Sequence, residues 1–245
     1  MSDNYSGHKN LEILSQNFRF NNWIYEQMLP GLKGNVLEIG SGIGTFSEKI
    51  IQSLPLGSKV MFTDISLQYI EKLQDRFANN NNVSFCQLDL NSKIDYERIG
   101  FDKFDSIVAI NVLEHIKDDE FALQQLFKML RNNGTLILLV PSHKFLYNII
   151  DKTIGHVRRY TKKELESKAK DAHFIVQRIF YFNALGIVGW YINGNLARNP
   201  EINNTASKIF DKLVPFSRYF EQVTGRKIGL SIICYLEKSL IKEHP

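Results

Sequence analysis

The chain has only two cysteines, Cys86 and Cys234, among its 245 residues. Two thiols cannot build a disulfide framework or a zinc site alone, so they fit a reducing compartment, and no metal site is expected. No apolar run approaches the ~20 residues of a membrane-spanning helix. The most apolar long stretch, 180–192, is too short and is broken by Asn183, Gly186 and Gly189. At most a peripheral membrane contact is expected. The N-terminal MSDNYSGHKN has no basic-then-apolar signal pattern, which predicts a cytoplasmic location. Charge of one sign is also scarce: 30 basic residues face 26 acidic ones, a formal +4. So mild and dispersed an excess argues against a nucleic-acid partner. There is no internal repeat, and the only low-complexity piece is the asparagine run 79–82. Composition is otherwise ordinary, with 44% hydrophobic and 23% charged residues, which excludes disorder. The length suits one α/β domain with room for a small lid.

What the sequence does contain is alternation. Residues 10–29 place Leu11, Leu14 and Phe18 at helical spacing. VLEI (36–39) reads as a first strand, followed by a helix over 43–53 and a second strand over 59–65. A helix over 66–78 carries Ile70, Leu73 and Phe77 on one face, with Ser66 as its cap. Strands follow at 82–90 and 104–110. The spacing of Leu123, Leu126, Phe127 and Leu130 predicts a helix over 119–131, closed by Asn132-Asn133-Gly134 with Gly134 as a left-handed cap. TLILLVP (135–141) is apolar without alternation, as in a strand buried on both faces. Thr161 and Glu164 form a capping box, and 174–182 and 228–238 read as the last strands. Repeated βα units predict an α/β fold with a doubly wound, mostly parallel sheet.

The turn Glu38-Ile39-Gly40-Ser41-Gly42-Ile43-Gly44 joins the first strand to a helix. Glycines there permit a tight bend and close approach to a ligand. A dinucleotide turn wants G-x-G-x-x-G, but here the third glycine comes one residue early. Asp64 ends the second strand and is followed by Ile65. A carboxylate there suits two ribose hydroxyls, and Ile65 suits a base.

Together, VLEIGSGIGTFS, the acidic TDI, LDL (88–90) and AINVLEHI (109–116) resemble, in order and spacing over about 34–182, class I S-adenosylmethionine-dependent methyltransferases. The resemblance implies a Rossmann-like, seven-stranded sheet with an antiparallel last strand. It implies S-adenosylmethionine as cofactor and S-adenosylhomocysteine as product. It assigns the loop holding Glu38, Gly40, Ser41 and Gly42 to the methionine part, Asp64 and Ile65 to the nucleoside, Asp89 and Leu90 to adenine, and Asn111 to the methionine end. GHVRRYTKKEL further resembles a bacterial small-molecule subgroup.

On the acceptor side, His115 follows the fourth strand as a possible base or a packing residue. The segment after the fifth strand supplies His156, the favoured base or acceptor-orienting residue, and Tyr160 as a third catalytic candidate. Tyr147, Arg158 and Arg159 are candidates for acceptor binding, the arginines because guanidinium suits carboxylate or phosphate. Tyr25 and Trp190 complete the set. The expected organisation is an N-terminal helical cap (1–33), a cofactor core (34–182), a helical lid or homodimer insertion (183–227) and a final strand (228–245). An apolar lid points to a small-molecule acceptor with an apolar portion, methylated on O, N or C. The alternatives are an RNA or protein methyltransferase and an NAD(P)-dependent oxidoreductase.

Overall fold

The structure, a computed structural model, describes residues 8–239. The first residues of the expected N-terminal cap and the last of the final segment lie outside the described residues. The chain begins with two helices, α1 (His8–Ser15) and α2 (Phe18–Met28), where the sequence suggested one segment. Strand β1 (Val36–Ile39) follows, then α3 (Ser47–Ser53), β2 (Val60–Asp64), α4 (Leu67–Arg76) and β3 (Val83–Gln87). Helix α3 starts later than the expected 43, because the glycine turn occupies that stretch. Ser66 stands at the N-cap of α4, but its side chain makes no capping bond.

Helix α5 (Lys93–Ile99) has no counterpart in the sequence reading. It buries only Tyr96 and Ile99, too few for a visible stripe, and starts at Ser92, which accepts from the Asp95 amide. Strand β4 (Phe104–Ile110), α6 (Asp119–Met129) and β5 (Leu130–Pro141) come next. Gly134 is not the left-handed cap of α6; Asn133 takes that conformation, with φ 62°. The reason is pairing. Leu130 already faces Phe104 of β4, so the strand starts five residues before the expected Thr135. The Asn133 and Gly134 backbones also bond to Lys238. The short α7 (Ile149–Thr153) and α8 (Lys162–Asp171) precede β6 (Ile175–Phe182). Then α9 (Gly186–Tyr191), a wide turn over 192–196 and α10 (Asn204–Thr224) lead to β7 (Ser231–Glu237).

The seven strands lie in the order β3-β2-β1-β4-β5-β7-β6. The first five run parallel, and β7 sits antiparallel between β5 and β6. Alternate residues of each strand feed opposite faces. Leu37 and Ile107 pack with Leu123, Leu126 and Leu165 on one face. On the other, Val108 and Ile137 pack with Trp23 and Val214, while Val36 and Phe62 pack with Ile50 and Leu73. The chain leaves β1 toward β2 and returns through β4, so the strand order reverses between β1 and β4. That reversal opens a crevice at the carboxyl edge of a doubly wound sheet.

The 183–227 segment and the N-terminal helices meet over this crevice. Asn17 donates to Ser207, and the Phe20 amide donates to Asp211, which ties α2 to α10. Buried Glu221 of α10 accepts the Asn183 and Ala184 amides at the end of β6. Among the described residues, no helix is long and apolar enough to cross a membrane.

Candidate active site

A cavity of about 570 Å³ fills the crevice. That lies within the ~300–1,000 Å³ typical of small-molecule and cofactor sites. Its floor is the turn after β1. Gly40, Gly42 and Gly44 have φ of 67°, 53° and 79°, a region side chains avoid. A Cβ at Gly40 would stand 2.6 Å from Val112 Cγ2, so the backbone lies close to the following loop. The Ser41 amide donates to Thr63, which pins the turn to β2.

Two carboxylates border the turn. Asp64 is buried; its Oδ2 accepts the Gly42 amide and its Oδ1 the Ser66 amide, both at 2.9 Å. Each oxygen keeps a lone pair for a further donor. Burial raises its pKa, and these amides oppose the rise. Glu38 accepts from Ser47 Oγ at 2.5 Å, and burial pushes its carboxyl up to about 7. Ile65, 61% exposed, projects at the rim, and half-buried Asp89 accepts the Asn91 amide and side chain. Leu90 and Asn111, the latter at φ 53°, complete this end. All of the residues expected at the cofactor therefore line one cavity.

The far end is built by β4, β5 and the loop that follows. His115 and His156 meet edge to face, with ring centroids 4.7 Å apart. His156 Nδ1 lies 2.8 Å from Asp151 Oδ1, and Arg159 Nε donates to that oxygen at 2.9 Å. Burial pushes the Asp151 carboxyl up, but His156 and Arg159 outweigh it and hold it below the carboxylate range. The Arg159 guanidinium also lies over the Trp190 ring, 4.6 Å from its centroid, while the indole N–H donates to the Leu146 carbonyl. Glu114 is fully buried, and burial raises it to about 7 despite His156. Burial, with His156 beside it, lowers His115 to about 4.

Four expected site residues stand elsewhere. Tyr160 is buried in the core and donates to Asp119 Oδ2 at 2.8 Å; burial pushes its phenol far up, so it supplies no base. Tyr147 donates to the His156 carbonyl and braces the loop from behind. Arg158 pairs with Asp119 at 2.6 Å and donates to the Lys117 carbonyl on the outer side. Tyr25 donates to the Lys49 carbonyl, joining α2 to α3. In each case a nearby backbone carbonyl or carboxylate occupies the polar group.

The sequence reading also missed cavity residues. Leu14, Asn17 and Phe20 line the cavity from the N-terminal helices, and Asn183, Ser207 and Phe210 from the insertion. Buried asparagines at 10, 17 and 21 were the available signal, since a polar residue inside an apolar helix face needs a reason.

The strand order, the antiparallel β7 and the glycine turn define the class I methyltransferase fold. Residues 37–136 match the family model described as "Methyltransferase domain". The chain is similar to probable polyketide synthase 42 of Dictyostelium discoideum, 31% identical over 127 residues. That alignment spans 46% of this chain but only 5% of the relative's length. A Haemonchus contortus phosphoethanolamine N-methyltransferase 2, solved with S-adenosyl-L-methionine, has a similar fold (TM-score 0.61, 16% identity, 93% of this chain and 56% of that one). So does the CurJ carbon methyltransferase (TM-score 0.57, 15% identity, 91% and 54%).

Proposed function

We propose that the chain transfers a methyl group from S-adenosylmethionine to a small-molecule acceptor with an apolar portion. The observation that carries this reading is the single cavity that joins the glycine turn and Asp64 to the His115–His156 end. When bound, S-adenosylmethionine supplies an electrophilic methyl carbon on a sulfonium. The residues fit that ligand: the turn is an open cradle, and Asp64 retains acceptor capacity for ribose hydroxyls. Ile65 would pack on the base, Asp89 would accept from its exocyclic amine beside Leu90, and Glu38, Gly40, Ser41, Gly42 and Asn111 would surround the methionine part.

The acceptor sits at the other end. Trp190 and Phe210 give its apolar portion a surface, and His115 and His156 hold its polar group beside the methyl carbon. Alignment and exclusion of water supply much of the acceleration. A hydroxyl or amine acceptor also loses a proton, which His156 is placed to accept or direct. The polyketide synthase relatives and the carbon methyltransferase neighbour support a small organic acceptor over a nucleic acid. The mild charge balance points the same way, and we place the reaction in the cytoplasm.

Methyl-labelled cofactor and a panel of apolar and acidic metabolites test this reading. Label should appear on a small molecule. His156→Asn keeps a donor toward Asp151, so it should slow turnover while sparing S-adenosylhomocysteine affinity. Normal turnover in that variant removes His156 from the reaction. Binding of S-adenosylhomocysteine with no transfer to any acceptor would make the chain a binding module.

A further inference from the structure

Among the described residues, Glu114 alone has two buried side-chain oxygens without a hydrogen-bond partner, and the residue is fully buried. A buried carboxylate without a donor or counter-ion is costly. Asp151, equally buried, has Arg159, His156 and the Asn148 amide on its two oxygens. Glu114 instead faces His156 Nε2, with Oε1 3.5 Å away.

The histidine tautomers sharpen the problem. His115 Nδ1 lies 3.3 Å from the Gly155 carbonyl oxygen, which only accepts, so Nδ1 carries the proton. Asp151 Oδ1 likewise holds a proton on His156 Nδ1. In a neutral ring this leaves His156 Nε2, the nitrogen that faces Glu114, as a lone-pair donor. Histidine ligands in metalloproteins are set up in this way, with the other ring nitrogen donating to a carboxylate or a carbonyl. One ligand atom each from Glu114, His115 and His156 lies within 4.8 Å of the other two. The 3.5 Å between His156 Nε2 and Glu114 Oε1 is longer than a charge-assisted hydrogen bond of about 2.7–2.9 Å. Two ligands of one tetrahedral ion, each ~2.0–2.2 Å from it, stand about 3.4 Å apart.

We propose that Glu114, His115 and His156 hold a divalent transition-metal ion of the zinc class at the acceptor end of the cavity. Three protein ligands leave one coordination position, and His115 and His156 both line the cavity, so that position takes an oxygen of the acceptor. The ion compensates the Glu114 charge, and Asp151 and the Gly155 carbonyl orient the rings. The two imidazoles suit zinc, iron, nickel or copper rather than magnesium or calcium. The inference deepens the methyl-transfer reading of this cavity and rests on it: the ion places the oxygen, the glycine turn places the methyl donor, and His156, as a ligand, directs the acceptor rather than accepting its proton. The two histidines are far apart in sequence and neither sits in a ligand-spaced motif, which is why the sequence analysis expected no metal site; the proposal departs from that expectation.

The test uses the full chain stripped with chelator and titrated with Co²⁺, whose visible bands report its ligand set, with Zn²⁺ as competitor. One equivalent of Co²⁺ should bind and be displaced by Zn²⁺. Glu114→Gln and His115→Ala should each weaken it by at least ~10-fold while S-adenosylhomocysteine affinity persists. Absence of stoichiometric Co²⁺ binding overturns the proposal, as does binding unchanged in both variants. The S-adenosylhomocysteine titration is read separately. Its failure in the wild-type protein would sink the methyl-transfer reading, and the Co²⁺ result still decides the metal site.

Discussion

Asp64 accepts the Gly42 amide at 2.9 Å, so the acid that ends β2 and the glycine turn that follows β1 act as one unit. The same carboxylate accepts the Ser66 amide at the start of α4. Its position is therefore fixed before any ligand arrives, and its remaining lone pairs point to one use.

Replacing Asp64 by Ala should weaken S-adenosylhomocysteine binding at least tenfold, because a charged hydrogen bond contributes ~1.5–3 kcal/mol. Asp64→Asn, which retains one oxygen, should fall between. Titration calorimetry on the three proteins checks the order, and equal affinities would dissociate Asp64 from the ligand.

Gly40→Ala should lower both stability and cofactor affinity. The residue sits at φ 67°, which costs a side chain ~1–2 kcal/mol, and the new Cβ meets Val112 at 2.6 Å. Urea unfolding should report a loss of that size or somewhat more. Gly57 has φ 89° with nothing within 4 Å of an added Cβ, so Gly57→Ala should show the backbone cost alone.

Asp151→Ala should be the most destabilising single change near the site. It strands the buried Arg159 guanidinium and removes the carboxylate that accepts the Asn148 amide in the capping box of α7. Breaking a buried pair by deleting one partner costs ~3–5 kcal/mol. Chemical denaturation at neutral pH measures it. A loss comparable with an exposed pair such as Lys170–Glu166 would contradict the role given to Asp151. The folded-state pKa of Asp151 is depressed, so its contribution is present above the unfolded carboxylate range and is lost as pH falls through the lower folded value.

Glu221 behaves in the opposite sense. Burial raises it to about 7, although the Ala184 and Asn183 amides oppose the rise. The folded chain then holds a proton that the unfolded chain releases above ordinary glutamate pKa values. Stability should fall as pH rises from about 4.5 to 7, by up to ~1.4 kcal/mol per pH unit for such a group. Glu221→Gln keeps an oxygen acceptor for both amides and should flatten the slope in that window. An unchanged slope would mean that Glu221 is ionised in the fold.

Much of this architecture was readable in the sequence, and the reasons are local. The strands 36–39 and 104–110 match the expected bounds because their apolar runs are flanked by breakers. The glycine turn and Asp64 were legible because backbone geometry and charge dictate those residue types. Helix α5 was not, since a charged helix of about two turns with two buried residues leaves almost no pattern. Tyr25, Tyr147, Arg158 and Tyr160 were misplaced for one common reason. Sequence shows that a hydroxyl or guanidinium is present, but not that a carbonyl such as Lys49 or His156, or the Asp119 carboxylate, already occupies it. The convergence of Glu114, His115 and His156 depends on how the loop after β5 folds back over β4, which no local pattern encodes.

The most direct test of the central claim is calorimetric titration of the purified chain with S-adenosylmethionine and S-adenosylhomocysteine, with NAD and NADP alongside. Micromolar binding of both sulfur ligands at one site per chain, and none of the dinucleotides, is the predicted result. Binding of a dinucleotide with no response to either sulfur ligand would contradict the reading of the glycine turn and of the cavity built on it.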